Sequence, residues 1–300
     1  MAMVTALLRE VRGCSLLLRS LGRVPRQSVI AAATGKGQRW YQTNKASYYD
    51  MHEDAFTHME EDNTKEAAGE KYHPLYPNHI PTNAFQKALL TVGSAMMSLY
   101  DPYRHDMIAV LGETTGPLVL QNLRDRMRND PEGNQILQER PRIQMSTLEM
   151  HRLRELPDAT FGREYIRFLD VNKVSPDTRM PVKFVDNEEL AYVIQRYREV
   201  HDLMHTLLGM PTNMLGEVVV KWFEAIQTGL PMCILGATFG PLRLNAKRLQ
   251  VLMMELLPWV IQCGRNSQFV MNVYYEKRWE QTMESLREEL GITPPPIIKV

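Results

Sequence analysis

The chain has 300 residues, 44% of them hydrophobic, with 35 basic and 35 acidic side chains and three cysteines. That length suits one sizeable core, and no internal repeat interrupts it. Three cysteines without CxxC spacing exclude a disulfide framework, and Cys233 and Cys263 sit in apolar contexts expected of reduced core thiols.

The zero net charge hides two parts of opposite sign. Residues 1–49 carry eight Lys/Arg and one acid, Glu10, which leaves 27 basic and 34 acidic residues for the rest. Val4, Leu7, Leu8, Val11 and Leu16–Leu18 give this Arg-rich start an amphipathic pattern. The composition is that of a mitochondrial transit peptide, expected over 1–45, with removal around residues 30–45 and loss of Cys14. A basic nucleic-acid arm is the weaker reading, because no aromatic or Gly-rich residues are interleaved with the charges. Residues 46–75 read as an acidic disordered linker, with Glu60-Glu61-Asp62 in a stretch that lacks apolar periodicity.

From Pro81 onward the pattern is helical, and one all-α domain is expected over 76–292, followed by a tail at 293–300. Helices are predicted over 84–99, 117–127, 161–169, 187–208, 213–228, 242–257 and 267–290. Ser146 with Glu149 and Asp186 with Glu189 have capping-box spacing. Residues 171–181 form a Pro/Asp connector. Residues 225–242 carry no charge, but Gly229, Pro231, Gly236, Gly240 and Pro241 break the stretch. It predicts a short helix between turns, buried or touching a membrane, and not a span. The nineteen methionines suit ordinary core filling better than an adaptable lipid tunnel.

The chemistry concentrates in His201-Asp202-Leu203-Met204-His205, with Glu217 beyond the turn signal Gly209-Met210-Pro211-Thr212-Asn213. On a helical wheel with His201 at zero, His205 lies at about 40° and Asp202 at about 100°. A helical hairpin brings His201, Asp202, His205 and Glu217 together as a ligand set for zinc or another divalent transition metal. A solvated helix with packing histidines is the plain alternative. Arg198, four residues before Asp202, is placed to orient that carboxylate, to bind an acidic substrate, or only to form a surface ion pair. The zinc peptidase pattern HExxH is not met, since Asp202 stands where its glutamate belongs. A metal-dependent lyase, a lipid phosphohydrolase and a non-catalytic lipid-binding protein with a structural metal all fit the residues. The phosphohydrolase needs a cationic pocket, for which Arg104, Arg142 and Arg198 are candidates.

The run from Tyr197 to Asn213, with Gly216-Glu217, resembles the HDxxHx11E signature of the mitochondrial ubiquinone (coenzyme Q) biosynthesis protein four family. The likeness extends through Lys221-Trp222-Phe223-Glu224, Gly229-Leu230-Pro231-Met232-Cys233, the run from Leu99 to Asp106 and Val110–Gly116, over roughly 76–292. The resemblance implies an all-helical fold and zinc held at His201, Asp202, His205 and Glu217. It implies peripheral attachment to the matrix side of the inner mitochondrial membrane, within a multi-protein complex of ubiquinone-biosynthesis enzymes. The implied reaction removes the C1 carboxylate of 4-hydroxy-3-methoxy-5-polyprenylbenzoate, with or without coupled C1 hydroxylation. Asp202 or Glu217, as a carboxylic acid with raised pKa, is expected to deliver the proton. The competing expectation is a non-enzymatic lipid-binding scaffold whose His-Asp-His-Glu set is a closed structural site. The uncharged 225–242 stretch is the candidate mouth for the isoprenoid tail.

Overall fold

A computed structural model describes residues 74–101 and 104–297, which belong to one compact unit. The leader, and the linker up to residue 73, lie outside the described residues. The described part is all-α as expected. Twelve α-helices run in order: α1 (Ala84–Tyr100), α2 (His105–Thr115), α3 (Pro117–Arg128), α4 (Pro131–Glu139), α5 (Met150–Glu155), α6 (Phe161–Asn172), α7 (Glu188–Leu208), α8 (Met214–Thr228), α9 (Pro231–Phe239), α10 (Ala246–Val251), α11 (Leu257–Asn266) and α12 (Met283–Leu290). Among the described residues the one β-type pairing is an isolated bridge between Thr160 and Thr282.

The molecule is built around α7. Asn187 caps it by accepting from the Leu190 amide at 2.9 Å, and Glu188 and Glu189 occupy its positive end. Every residue from Leu190 to Leu208 is buried, which is unusual for a helix that contains Arg196, Arg198, Glu199, His201, Asp202 and His205. A buried charge is tolerated only with a partner, and each partner comes from a different segment. Arg196 pairs with Glu276, Arg198 with Glu113 of α2 at 2.6 Å, Glu199 with Arg142 at 2.6 Å, and Asp202 with Arg179. The polar side chains of α7 therefore act as fasteners for the surrounding layer, while Val193, Ile194, Val200, Leu203, Leu207 and Leu208 fill the core beside them.

α7 ends at Gly209, whose φ of +65° suits glycine. The Gly209 amide donates to the Thr206 carbonyl and the Met210 amide to the His205 carbonyl, a Schellman closure that reverses the chain. Asn213 then caps α8 by accepting from the Gly216 amide at 3.0 Å. A Cβ on Gly216 would overlap the Pro211 carbonyl oxygen, so the tight turn requires glycine. The predicted helical hairpin is thus fixed at both ends of its turn.

Several predicted elements shift. α2 and α4 lie outside the predicted helices, and α5 follows the Ser146–Glu149 spacing as expected of a helix opening there, but neither the Ser146 nor the Asp186 box forms: α5 starts after Glu149 without a side-chain cap, and α7 is capped at Asn187. The 242–257 helix begins at Ala246 and runs on to Asn266 through a π turn at Leu252–Leu256, where the Leu257 amide reaches the Leu252 carbonyl. Pro258 has no amide hydrogen for the normal ladder at this point, which accounts for the wider turn. The 267–290 helix is not continuous. Two 3-10 turns (Val270–Asn272 and Tyr275–Lys277) precede α12, which starts where the Thr282 hydroxyl accepts from the Ser285 amide at 3.2 Å. Within the 293–300 tail, Thr293 accepts from the Trp259 indole at 3.1 Å. The 225–242 stretch resolves as the end of α8, α9 and a 3-10 turn, in agreement with the short-helix expectation. No described helix is long and apolar enough to cross a membrane.

Candidate metal centre

The last two turns of α7 and the first turn of α8 bring His201, His205 and Glu217 to one point, with one ligand atom of each within 4.8 Å of the others. Glu217 faces both imidazoles, 3.5 Å from His201 Nε2 and 3.4 Å from His205 Nε2. The other ring nitrogens are already engaged. His205 Nδ1 lies 3.0 Å from the Met210 carbonyl, which only accepts, so this nitrogen carries the proton and Nε2 presents a lone pair. His205 Nε2 is buried and has no hydrogen-bond partner. His201 Nδ1 lies 2.6 Å from Glu224 Oε1, an orientation typical of a metal-ligating histidine held by a carboxylate. The two rings meet edge to face at 4.9 Å, and Phe168 stacks on His205 at 5.5 Å.

Two lone-pair nitrogens, one of them orphaned and buried, aimed beside a carboxylate make a donor set that fits a divalent cation. The histidine side chains are 8% and 0% exposed and that of Glu217 is 35% exposed, so the open side of the centre lies at Glu217. Burial works against the Glu217 carboxylate, but His201 and His205, when they carry a second proton on Nε2, outweigh it and hold the group well below the usual carboxylate range. Glu217 is therefore ionised, as a ligand must be. This is the reverse of the raised pKa expected of a proton donor.

Asp202 stands apart from the other three predicted ligands. It is buried on the adjoining face of α7 and forms an ion pair with Arg179. Arg198 does not orient it. Arg198 donates to Glu113 and to the carbonyls of Met180 and Ala109 at 3.0 and 2.8 Å respectively. Glu113 in turn accepts from the amides of Lys183 and Phe184 at 2.9 and 2.6 Å. Together Arg198 and Glu113 pin the connector that carries Arg179 toward the centre.

Behind His201 lies a buried network that the candidate ligand set did not contain. Glu224 Oε2 accepts from Lys221 Nζ and from the Tyr197 hydroxyl, both at 2.6 Å, and that hydroxyl is 3.0 Å from Cys233 Sγ. Burial opposes ionisation of Glu224, yet His201 and Lys221 hold its pKa far down. Burial and the Glu224 charge push the Cys233 thiol up to about 12, so it is a neutral packing group. The spacing carried a signal: Glu217, Lys221 and Glu224 are i, i+4 and i+7 along one face of a helix that is otherwise largely apolar. Arg179 carried none, being 23 residues upstream of Asp202 in a connector. His105, in the first turn of α2, lies within electrostatic reach of the site; desolvation and the Arg179 charge lower its pKa.

A shallow cleft of about 470 Å³ reaches His205 from the side of Phe168, Asn172 and Pro211. It meets the back of the centre and not its Glu217 side.

Residues 76–296 match the family model described as Coenzyme Q (ubiquinone) biosynthesis protein Coq4. The Xenopus laevis protein named ubiquinone biosynthesis protein COQ4 homolog, mitochondrial, is 65% identical over 278 residues, covering 92% of this chain and 95% of its own. The human protein of that name is 70% identical over 224 residues, 75% of this chain and 84% of its own. A crystal structure of a candidate ubiquinone biosynthesis protein from Nostoc punctiforme superposes with a TM-score of 0.55 at 20% identity, covering 70% of this chain and 98% of that one, and supports the fold. On the strength of the family match and the relatives alike, the chain belongs to the Coenzyme Q (ubiquinone) biosynthesis protein Coq4 family.

Proposed function

We propose that the chain is a metal-dependent carboxy-lyase that removes the C1 carboxylate of 4-hydroxy-3-methoxy-5-polyprenylbenzoate, leaving a 2-methoxy-6-polyprenylphenol. Membership of the family places the chain in ubiquinone biosynthesis, and the relatives are named as mitochondrial. The matrix face of the inner membrane and a multi-enzyme complex are parts of the proposal.

The observation that carries the catalytic reading is that three predicted ligands converge, not four. Three protein ligands leave a coordination position open, which is the mark of a catalytic site, whereas a closed scaffold site needs the fourth. His201, His205 and Glu217 would hold a divalent ion such as zinc, which would supply Lewis-acid charge for the substrate's carboxylate or phenolate oxygen. The chain's own residues do the rest. Glu224 and the Met210 carbonyl fix the tautomers of the two histidines. Arg179, held by Asp202, presents a cation to the aromatic acid. Asp202, ion-paired with that guanidinium, accepts the phenol proton and returns it to the ring carbon as carbon dioxide leaves, and the resulting phenolate takes its proton from water. Glu217 stays ionised in the ligand set and does not donate.

The test uses purified, metal-analysed chain with a short-tailed substrate labelled in its carboxyl carbon, followed for labelled carbon dioxide in air and without oxygen. Release by the parent and not by His205→Ala supports the lyase, and an oxygen requirement identifies coupled hydroxylation. A folded, metal-loaded chain that releases nothing in lipid refutes the reading in favour of a scaffold.

A further inference from the structure

The first helix breaks the rule followed by the others. Phe85, Leu89, Val92, Met96 and Tyr100 recur at helical spacing along one face of α1, and all are between 57% and 85% exposed. Its buried and half-buried side includes Ser94 and Ala95. α1 contains no acid, and its one cation, Lys87, is paired with Asp186.

The apolar surface continues past the end of the helix. Arg243 donates to the Leu99 carbonyl, tying the Gly240–Arg243 turn to the end of α1. The neighbouring Leu242 is 66% exposed. Arg243, Lys247 and Arg248 are exposed, and no acidic residue occurs between Glu224 and Glu255. An apolar helical stripe bordered by cations, with no acid among them, combines the two signals that bring a protein onto lipid.

We infer that this face docks on a bilayer surface bearing anionic lipid. The α1 stripe and Leu242 enter the boundary between headgroups and acyl chains, and Arg243, Lys247 and Arg248 meet the phosphates. Charge decides against a second copy of the chain as the occupant. Pairing two such faces brings cations to a seam that offers no acid from α1 or from residues 225–254.

The position of the face deepens the proposed function, on which this one point rests. Tyr100, 85% exposed, ends α1 five residues before His105, which lies within electrostatic reach of Glu217 and His201. A substrate whose isoprenoid tail stays in the bilayer then meets the centre at the membrane end of α1, with Leu242 contributed from the 225–242 stretch.

The experiment is co-sedimentation of the purified full chain with vesicles of phosphatidylcholine, alone and with one fifth phosphatidylglycerol. The parent is expected to bind the anionic vesicles more tightly, and the advantage shrinks as salt rises. Leu89→Glu, Val92→Glu and Met96→Glu combined are expected to weaken binding at least tenfold with unchanged circular dichroism. Neutralising Arg243 and Lys247 to Gln is expected to cost about fivefold per cation, on anionic vesicles alone. A folded triple variant that binds like the parent overturns the inference. So does a parent dimer, seen by light scattering, that the triple substitution splits while vesicle binding persists. Carbon dioxide release from the short-tailed substrate by the same triple variant separates the two ideas: retained turnover with lost or unchanged docking leaves the lyase reading standing on its own.

Discussion

Glu224→Gln isolates the carboxylate behind the candidate metal centre. The parent side chain receives three donors, His201 Nδ1, Lys221 Nζ and the Tyr197 hydroxyl, each at 2.6 Å. A glutamine has one oxygen for these donors and turns an NH2 toward the remainder. If the oxygen stays with His201, Lys221 is left a cation with no counter-charge in a buried site. If the oxygen turns to Lys221, the His201 ring loses its acceptor and its fixed tautomer. The first outcome costs about 3–5 kcal/mol of stability, the range for breaking a buried pair by removing one partner. The second costs about 10- to 100-fold in metal affinity, or about 1.4–2.8 kcal/mol. Zinc affinity by chelator competition and stability by urea unfolding read the two separately. Adding Lys221→Met to Glu224→Gln removes the stranded charge, so stability should recover while metal affinity stays low. A folded Glu224→Gln protein that binds zinc as tightly as the parent, in both backgrounds, would refute the assignment of Glu224 as the residue that orients His201.

Three further perturbations probe the same framework. Arg196, fully buried, holds Glu276 and the Val273 carbonyl, so Arg196→Ala should lose about 3–5 kcal/mol in urea unfolding. Replacing both partners, as Arg196→Met with Glu276→Leu, should recover most of that, and failure to recover would show that the pair is not the cause. Gly216→Ala places a methyl against the Pro211 carbonyl and should cost about 1–3 kcal/mol while displacing Glu217, so zinc affinity must fall with stability. A Gly216→Ala protein with parental affinity would show that the tight turn does not position the ligand. In metal-free chain, burial lowers the His201 pKa but the Glu224 charge outweighs it and leaves it raised, so its contribution is full below 6.5 and fades as pH rises through the raised value. Glu217 and Glu224, both held low, contribute above 4.5 and lose that as pH falls through their lowered values. The metal-free melting temperature should therefore peak between about pH 4.5 and 6.5, and bound metal should remove the alkaline decline. A metal-free melting temperature that rises from pH 6.5 to 8 contradicts this.

The elements that carry the candidate site were the most legible in the sequence because their punctuation is local. Asn187, Gly209 and Asn213 cap or close α7 and α8 by side chain or backbone angle, with no help from distant residues. α4 had a comparable signal, with Asp130 accepting from the Gly133 amide at 2.8 Å and Pro131 at the first helical position, and could have been read. α2 could not. Gly112, Thr114 and Thr115 argue against a helix, and what stabilises it is tertiary: Glu113 is buried against Arg198 and the Lys183 and Phe184 amides. The 267–290 region misled in the other direction. Its buried side chains Val270, Met271, Tyr275 and Leu286 satisfy a helical period, but they belong to separate turns held by distant partners such as Gln227, which accepts from the Val270 amide at 3.1 Å.

The place of Asp202 beside the His201–His205–Glu217 cluster turns on an angle. On the wheel it lies about 100° from His201 and about 60° from His205. The wheel places Asp202 within an arc narrow enough to face one cavity with the histidines, and in the structure its carboxylate is used by Arg179. What the period alone could not supply was the occupant of that neighbouring face, because Arg179 arrives from a connector fixed by Glu113 and Arg198. The consequence is chemical. A helix that turned Asp202 inward would close the centre around an ion and leave Arg179 a buried cation without a partner. Turned toward Arg179, Asp202 neutralises it beside the His201–His205–Glu217 cluster, and the proposed function gives these two residues the parts of proton acceptor and cation. Asp202→Asn separates these roles, since an amide still hydrogen-bonds Arg179 but does not take a proton. Zinc affinity near the parent's, with carbon dioxide release reduced at least tenfold, is the outcome expected of a group outside the ligand set, whereas a loss of affinity comparable to that of His205→Ala would return Asp202 to the metal.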